Sequence, residues 1–165
     1  MFTRHRSGRL PFVVVFTAVF AVVGSAAEAA KRVALLIGNQ DYLSTTALKN
    51  PKNDVELMRK TLLAAGFEDV EVAVDVNLVE MRKALRNFED KSENSEVAVL
   101  YYSGHGMEMN GQNYLIPVDA VLSSDKDVED ETVALDRAER SLSGATKLKL
   151  VILDACRNNP FLDTM

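Results

Sequence analysis

Cysteine and histidine are scarce in this chain, whose 165 residues include one cysteine, Cys156, and two histidines, His5 and His105. One cysteine cannot form an internal disulfide, so the thiol is either free and reactive or available to a second chain. A zinc site of the usual kind needs about four Cys, His or acidic ligands. One cysteine and one histidine outside the N-terminal leader cannot fill such a site, and we expect no bound metal of this type.

Positive charge and phosphate-binding glycines are also in short supply. The chain has 19 basic against 24 acidic residues and a net charge of −5, which argues against nucleic acid as a partner, because nucleic-acid binding needs a basic surface. The loop after Gly38 lacks the glycine pattern that holds phosphates. This argues against one possible function, a flavodoxin-like protein that binds small molecules.

The only long apolar run lies near the N-terminus. Residues 1–29 combine a basic start, an apolar stretch over 10–23 and small residues before Ala30, the layout of a secretory signal peptide. The alternative is a transmembrane anchor, but the run is shorter than the ~20 residues that span a bilayer. We therefore expect an exported protein, periplasmic or extracellular, with membrane contact only through this leader.

The remaining chain, residues 31–165, alternates apolar strands with amphipathic helices and is interpreted as one domain. Strands are predicted over 33–37, 70–76, 97–102 and 148–153, helices over 51–65, 78–88 and 133–142, a hairpin over 108–117 turning at Asn110-Gly111, and an acidic loop over 119–131. Asn50 and Asn77 are the predicted helix N-caps, and Gly66 ends the first helix. Such alternation predicts a three-layer α/β/α sandwich with a mostly parallel sheet.

Alternating apolar residues of the strands are the predicted core of this sandwich. They are Val33, Leu35, Ile37, Val72, Val74, Val97, Val99, Tyr101, Leu150 and Ile152. Ligands of such sheets bind beyond the carboxyl ends of the strands. Three polar segments follow strands there, residues 38–54, 103–106 and 154–157, so we expect them to converge on one edge.

Cys156 and His105 are the residues at this edge with the chemistry of nucleophilic catalysis. A thiol activated by an imidazole attacks carbonyl carbon, and the imidazole later protonates the leaving amine. The amides of Gly106 and Cys156 are candidate donors to the developing oxyanion. The alternatives are a buried structural cysteine and a loop histidine without a role. We identify no third residue that would orient His105.

Asp54 and Asp154 form a candidate acidic pocket beside the thiol. Each alone has an ordinary explanation, since an acid in the first helical turn favours the helix dipole and an acid can simply follow a strand. Together they would make charge-assisted contacts with Lys or Arg. Asp119 and the residues from Asp125 to Asp130 are interpreted as a solvated loop, with a weak calcium site as the alternative. No cofactor is expected.

These segments resemble the caspase-like cysteine peptidases, in particular the bacterial metacaspase relatives called orthocaspases. The resemblance covers about residues 32–161, and its most specific motifs are Ser-Gly-His-Gly at 103–106 and Asp-Ala-Cys-Arg-Asn-Asn-Pro-Phe at 154–161. It implies a caspase-like fold and an endopeptidase with a His105–Cys156 dyad. It also implies cleavage of peptide or protein substrates after Arg or Lys, in a pocket formed by Asp54, Ser103 and Asp154.

The resemblance reaches only the large-subunit portion of the family's domain, which normally continues with further strands. We therefore expect a C-terminally truncated domain whose last strand, 148–153, is an open apolar edge that a second chain could complete. This makes the activity of the chain alone an open question. The alternative function is a catalytically weak or inactive caspase-like module that binds a partner through that edge.

Overall fold

The computed structural model describes residues 30–155 and residue 161. In chain order the elements are β1 (Arg32–Gly38), α1 (Pro51–Ala64), β2 (Asp69–Val74), α2 (Leu78–Ser92), β3 (Val97–Ser103), β4 (Gly106–Met109), β5 (Gln112–Leu115), α3 (Asp127–Glu131), β6 (Val133–Ala134), α4 (Leu135–Arg140) and β7 (Leu148–Asp154). The predicted leader, residues 1–29, lies outside the described residues, as does Cys156.

The central sheet is four-stranded and parallel, in the order β2-β1-β3-β7. Strands β1 and β3 are central and buried on both faces, which explains their continuous apolar sequences. Helix α1 packs on one face with Ala34, Leu36 and Val99. Helices α2 and α4 pack on the opposite face with Leu35 and Leu100. The α/β/α sandwich predicted from the alternation of elements is thus confirmed.

A smaller antiparallel sheet, in the order β4-β5-β6, extends from the carboxyl end of β3. Its first turn is the predicted Asn110-Gly111 turn, in which both residues have positive φ, 54° and 80°. Two consecutive residues with positive φ form the turn whose twist suits a tight hairpin. This sheet starts one residue after His105, so the hairpin fixes the chain on the carboxyl side of that residue.

Three predicted core positions are wrong, because both outer strands of the described sheet are partly open to solvent. Val72 and Val74 on β2 are 37% and 40% exposed, and Leu150 on β7 is 40% exposed. Val97 and Ile152 are only partly buried. The apolar pattern of a strand does not tell whether a neighbouring strand or helix covers it, and here helix α1 covers the middle of its face of the sheet.

Smaller differences concern helix ends and the connection after the hairpin. Asn50 precedes α1 without a side-chain capping bond, whereas Asn77 and Glu80 form a complete capping box at α2. The predicted helix over 133–142 begins with the short strand β6, which pairs with β5, and its helical part is α4. The acidic loop contains the five-residue helix α3. Among the described residues, no helix is both long and apolar enough to cross a membrane.

Candidate active site

The carboxyl ends of three parallel strands lie side by side and form the floor of the candidate site. The register pairs Gly38 with Ser103 and Ser103 with Asp154, so β1, β3 and β7 end at the same level. Helix α1 can begin directly above this edge because Gly38 has no side chain. A Cβ there would lie 2.7 Å from Val55 Cγ2 and 3.0 Å from the Pro51 carbonyl oxygen. The close packing brings Asp54 of α1 over the strand ends.

A cavity of about 550 Å³ opens at this edge. Its lining residues are Leu48, Lys49, Asn50, Pro51, Asp54, Ser103, Gly104, His105, Asp154 and Ala155. Four of the residues predicted for the site, Asp54, Ser103, His105 and Asp154, thus share one cavity. Cys156 lies outside the described residues, and the preceding residue, Ala155, lines the cavity. Gly106 is the buried first residue of β4.

The imidazole of His105 has a backbone partner that the sequence did not reveal. Nε2 of His105 lies 2.8 Å from the carbonyl oxygen of Thr46. A carbonyl oxygen only accepts hydrogen bonds, so this bond requires the tautomer with hydrogen on Nε2. That tautomer leaves the lone pair of Nδ1 available as a base. Thr46 belongs to the loop between β1 and α1, and its contribution comes from the main chain.

Two tyrosines hold the main chain of His105 on both sides. The His105 amide donates to Tyr42 Oη at 2.7 Å, and Tyr102 Oη donates to the His105 carbonyl at 2.6 Å. The two hydroxyl oxygens are 3.4 Å apart. The ring of Tyr42 also lies against the His105 ring, with centroids 4.5 Å apart. Burial raises the pKa of Tyr42 to about 12 and that of Tyr102 well above its usual value. Both hydroxyls therefore stay protonated even at a pH at which an exposed tyrosine begins to ionise.

Gly104 is needed for space in this arrangement. A Cβ at this position would lie 2.6 Å from Tyr102 Oη and 2.7 Å from Tyr42 Oη. Its φ lies outside the left-handed region, so the position requires a glycine for space and not for an unusual backbone conformation. The missing side chain lets both hydroxyls approach the main chain closely.

The acidic part of the cavity is connected to a buried tyrosine. Tyr101 is 4% exposed, and its hydroxyl donates to Asp154 Oδ2 at 3.3 Å. Burial raises the pKa of Tyr101, the negative charge of Asp154 raises it further, and Asp54 adds to the effect. A hydrogen bond with Ser103 acts in the opposite direction. The Tyr101 hydroxyl is therefore bonded to Asp154, a predicted pocket residue, although the sequence pattern indicated only a core residue.

Two of the other acidic residues singled out in the sequence accept hydrogen bonds from backbone amides. Asp119 Oδ1 accepts from the Leu78 amide at 2.9 Å, and Asp127 Oδ2 accepts from the amides of Ser123 and Ser124. Within residues 30–155 and 161, no group of three or more His, Cys, Asp or Glu side chains is arranged to hold a metal ion.

A parallel sheet with a histidine and two acids at its carboxyl edge defines an α/β protein with a polar cleft at the switch point of the sheet. The family model described as Caspase domain matches residues 31–164. The chain belongs to this family.

Among known proteins, the chain is similar to mucosa-associated lymphoid tissue lymphoma translocation protein 1 of Homo sapiens, with 33% identity over 137 residues. Its homolog of Mus musculus is 32% identical over the same length. Each alignment covers 81% of this chain and 16% of the relative. The chain therefore spans about a sixth of the length of the curated relatives it matches.

Proposed function

We propose that the protein is an exported cysteine-type endopeptidase that uses His105 and Cys156 and cleaves peptide or protein substrates after Arg or Lys. The observation that carries the proposal is the cavity that His105 shares with Asp54, Ser103 and Asp154. Among the described residues, its lining includes Ala155, which directly precedes Cys156, the only cysteine of the sequence. Membership of the caspase-domain family supports a cysteine peptidase.

The charges of the cavity support a basic residue as the preferred substrate side chain. Within the part of the chain that the structure describes, two acids, Asp54 and Asp154, line it together with Ser103 and one cation, the exposed Lys49. An Arg guanidinium has five N–H donors and a Lys ammonium has three, whereas carboxylates only accept. Paired contacts of this kind are charge-assisted and stronger than those between neutral groups. An acidic substrate side chain would meet two negative charges instead.

The contact between His105 and Thr46 supports a role for His105 as general base. With hydrogen fixed on Nε2, the Nδ1 lone pair takes the proton of the Cys156 thiol, and the thiolate attacks the carbonyl carbon of the scissile bond. His105 returns the proton to the leaving amine as the C–N bond breaks, which leaves a thioester on Cys156. Water then gives a proton to His105 and attacks the thioester. The C–S bond breaks, the acid product leaves, and His105 returns the proton to the thiolate of Cys156.

The oxyanion formed in both attacks needs hydrogen-bond donors, and the amides of Gly106 and Cys156 are our candidates. Gly106 starts β4, whose pairing with β5 fixes the main chain beside His105. Nucleophile and base both belong to the chain, so this mechanism needs no cofactor. Calcium at the acidic residues 119–131 remains the alternative, and none of these residues is among those that line the cavity.

We propose export, and a relationship to the orthocaspases, from the sequence alone. Residues 1–29 have the composition of a signal peptide, so we propose a periplasmic or extracellular location. An activated thiolate in an oxidising compartment is prone to oxidation. Reducing conditions therefore keep the thiol of Cys156 available for reaction.

A module that binds a partner through β7 is the second candidate function. Strand β7 is the last strand of the described sheet, and Leu148, Leu150 and Leu153 on it are 49%, 40% and 41% exposed. An exposed apolar edge is a template for pairing with another chain. A second chain that completes the sheet is compatible with both candidates, since it could complete an enzyme or simply bind.

The test is hydrolysis of fluorogenic peptides ending in Arg, Lys or Asp, under reducing conditions. We expect cleavage after Arg and Lys by the wild-type chain and none by Cys156→Ala, with equal thermal unfolding of both proteins. Cleavage that survives in Cys156→Ala would remove the thiol as nucleophile. Absence of cleavage by a folded wild-type chain would favour the binding module.

A further inference from the structure

The loop that supplies the Thr46 carbonyl is closed at its base by hydrogen bonds. Its residues, 39–50, connect β1 to α1. The Leu48 amide donates to the Gln40 carbonyl at 2.9 Å, and the Leu43 amide donates to the Val118 carbonyl at 2.9 Å. The chain between Gln40 and Leu48 is therefore a compact loop with adjacent ends. Thr46 lies inside this loop, two residues before Leu48, so the bonds at the base restrict the position of its carbonyl.

The base of this loop is bound to Asp75 at the end of β2. Asp75 Oδ1 accepts from the amides of Gln40 and Asp41, at 2.8 and 3.0 Å. Asp75 has a positive φ of 50°, a conformation in which Asp is tolerated better than most residues. Its side chain is thereby directed at two consecutive amides of the loop.

Lys52 in the first turn of α1 bridges the two carboxylates at this base. Its Nζ lies 2.7 Å from Asp41 Oδ2 and 2.5 Å from Asp75 Oδ2. Burial opposes ionisation of Asp75, but the bonds from Lys52 and the two loop amides outweigh it and hold the pKa of Asp75 below its usual value. Lys52 is absent from the residues that line the cavity, so its contacts serve the loop.

We propose that Lys52 is a positioning residue for His105, acting through Asp75 and Asp41 to hold the loop whose Thr46 carbonyl fixes the imidazole. The same loop carries Tyr42, which accepts from the His105 amide. Loss of the bridge leaves the carboxylates of Asp41 and Asp75 without their shared cation, which loosens the base of the loop and weakens the hold of the Thr46 carbonyl on the Nε2 hydrogen. The catalytic part of this inference rests on the proposed function, whereas the effect on the imidazole does not.

The chain contains a matched control for the bridge. Lys91 near the end of α2 also binds two carboxylates, Asp69 at 3.1 Å and Glu71 at 3.0 Å. Its side chain is 38% exposed, compared with 37% for Lys52. Both lysines connect a helix to two acids, but the partners of Lys91 lie at the amino end of β2, away from the loop.

The first readout is the ¹⁵N NMR spectrum of the full chain at about pH 8.5, where free imidazole is neutral. The resonances of His105 are distinguished from those of His5 by their loss in His105→Gln. We expect one tautomer, with hydrogen on Nε2, in the wild type, in Lys52→Arg and in Lys91→Met. Lys52→Met and Asp41→Asn should show averaging of the two ring nitrogens. A single unchanged tautomer in Lys52→Met would overturn the proposal.

The second readout is kcat for an Arg peptide, together with the thermal unfolding of each variant. Displacement of a catalytic group by about 1 Å can cost about 100-fold in rate. We expect kcat to fall roughly ten- to hundredfold in Lys52→Met and to be retained in Lys52→Arg and Lys91→Met. Equal losses of kcat in Lys52→Met and Lys91→Met would overturn the proposal, because they would show that the bridge only stabilises the fold. If no variant cleaves peptides, the proposed function fails while the NMR result still decides the role of Lys52.

Discussion

His105 is held in place mainly by hydrogen bonds that involve main-chain atoms, either its own or those of Thr46. Its amide and carbonyl are bound by Tyr42 and Tyr102, and its ring by the Thr46 carbonyl. Hydrogen bonds that a folded chain has already formed cost no reorganisation during the reaction. Gly104 is part of the same arrangement, because any side chain there would displace the hydroxyls of Tyr42 and Tyr102.

The role of Asp154 in selectivity can be separated from a role in structure. We expect Asp154→Asn to lower kcat/KM for an Arg peptide by about 10- to 100-fold, since a hydrogen bond to a charged group contributes about 1.5–3 kcal/mol. Tyr101→Phe, which removes the donor to Asp154 Oδ2, should act in the same direction with a smaller, several-fold loss. The rate of Cys156 alkylation by iodoacetamide is the control for both. Equal loss of alkylation and hydrolysis would make Asp154 a structural residue.

The residues that act through their side chains could be predicted from the sequence, whereas those that act through the main chain could not. His105, Asp54, Ser103 and Asp154 each follow a recognisable strand or begin a helix, so the topology of a parallel sheet predicted their shared edge. Thr46 contributes a carbonyl, which every residue has, and no residue type marks it. Tyr101 and Tyr102 fit a buried strand equally well with or without their hydroxyl contacts.

Among the secondary-structure elements, β7 presents an apolar surface that the described part of the sheet leaves uncovered. It pairs with β3 on one side, and Leu148 and Leu150 lie on the α1 face, beyond the helix. The sequence predicted this strand and its position at an edge, but it placed Leu150 in the core. Helix and strand periodicity is local, whereas burial depends on elements that lie far away in the chain.

A charge on β7 should block association if another chain covers this edge. We expect Leu150→Lys to leave thermal unfolding nearly unchanged, because Leu150 is 40% exposed, and to abolish concentration-dependent association in sedimentation velocity. Val72→Lys is the matched control, because Val72 is 37% exposed on β2, at the opposite edge and on the same face. Association that is insensitive to Leu150→Lys, or equally sensitive to both variants, would argue against β7 as the interface.

For the molecule as a whole, the buried tyrosines make the folded protein less stable at alkaline pH. The pKa of Tyr42 is about 12 in the folded protein and 10.0 in the reference state. The stabilisation that comes from the protonated Tyr42 hydroxyl is therefore complete below pH 10. It is lost as the pH rises towards 12, which lowers the free energy of unfolding by about 3 kcal/mol in total. We expect the free energy of unfolding in urea to decline over this range, and to decline less steeply in Tyr42→Phe. The same slope in both proteins would contradict the assignment.

The proposed activity requires a thiol that reacts when a basic side chain occupies the acidic cavity. The most direct measurement is intact mass spectrometry after incubation with irreversible peptidyl ketones that end in Arg or in Asp. Because the chain has one cysteine, we predict a single adduct from the Arg compound, formed much faster than from the Asp compound and absent in Cys156→Ala. Equal labelling by the two compounds, or none of a folded chain, would contradict a basic-selective cysteine peptidase.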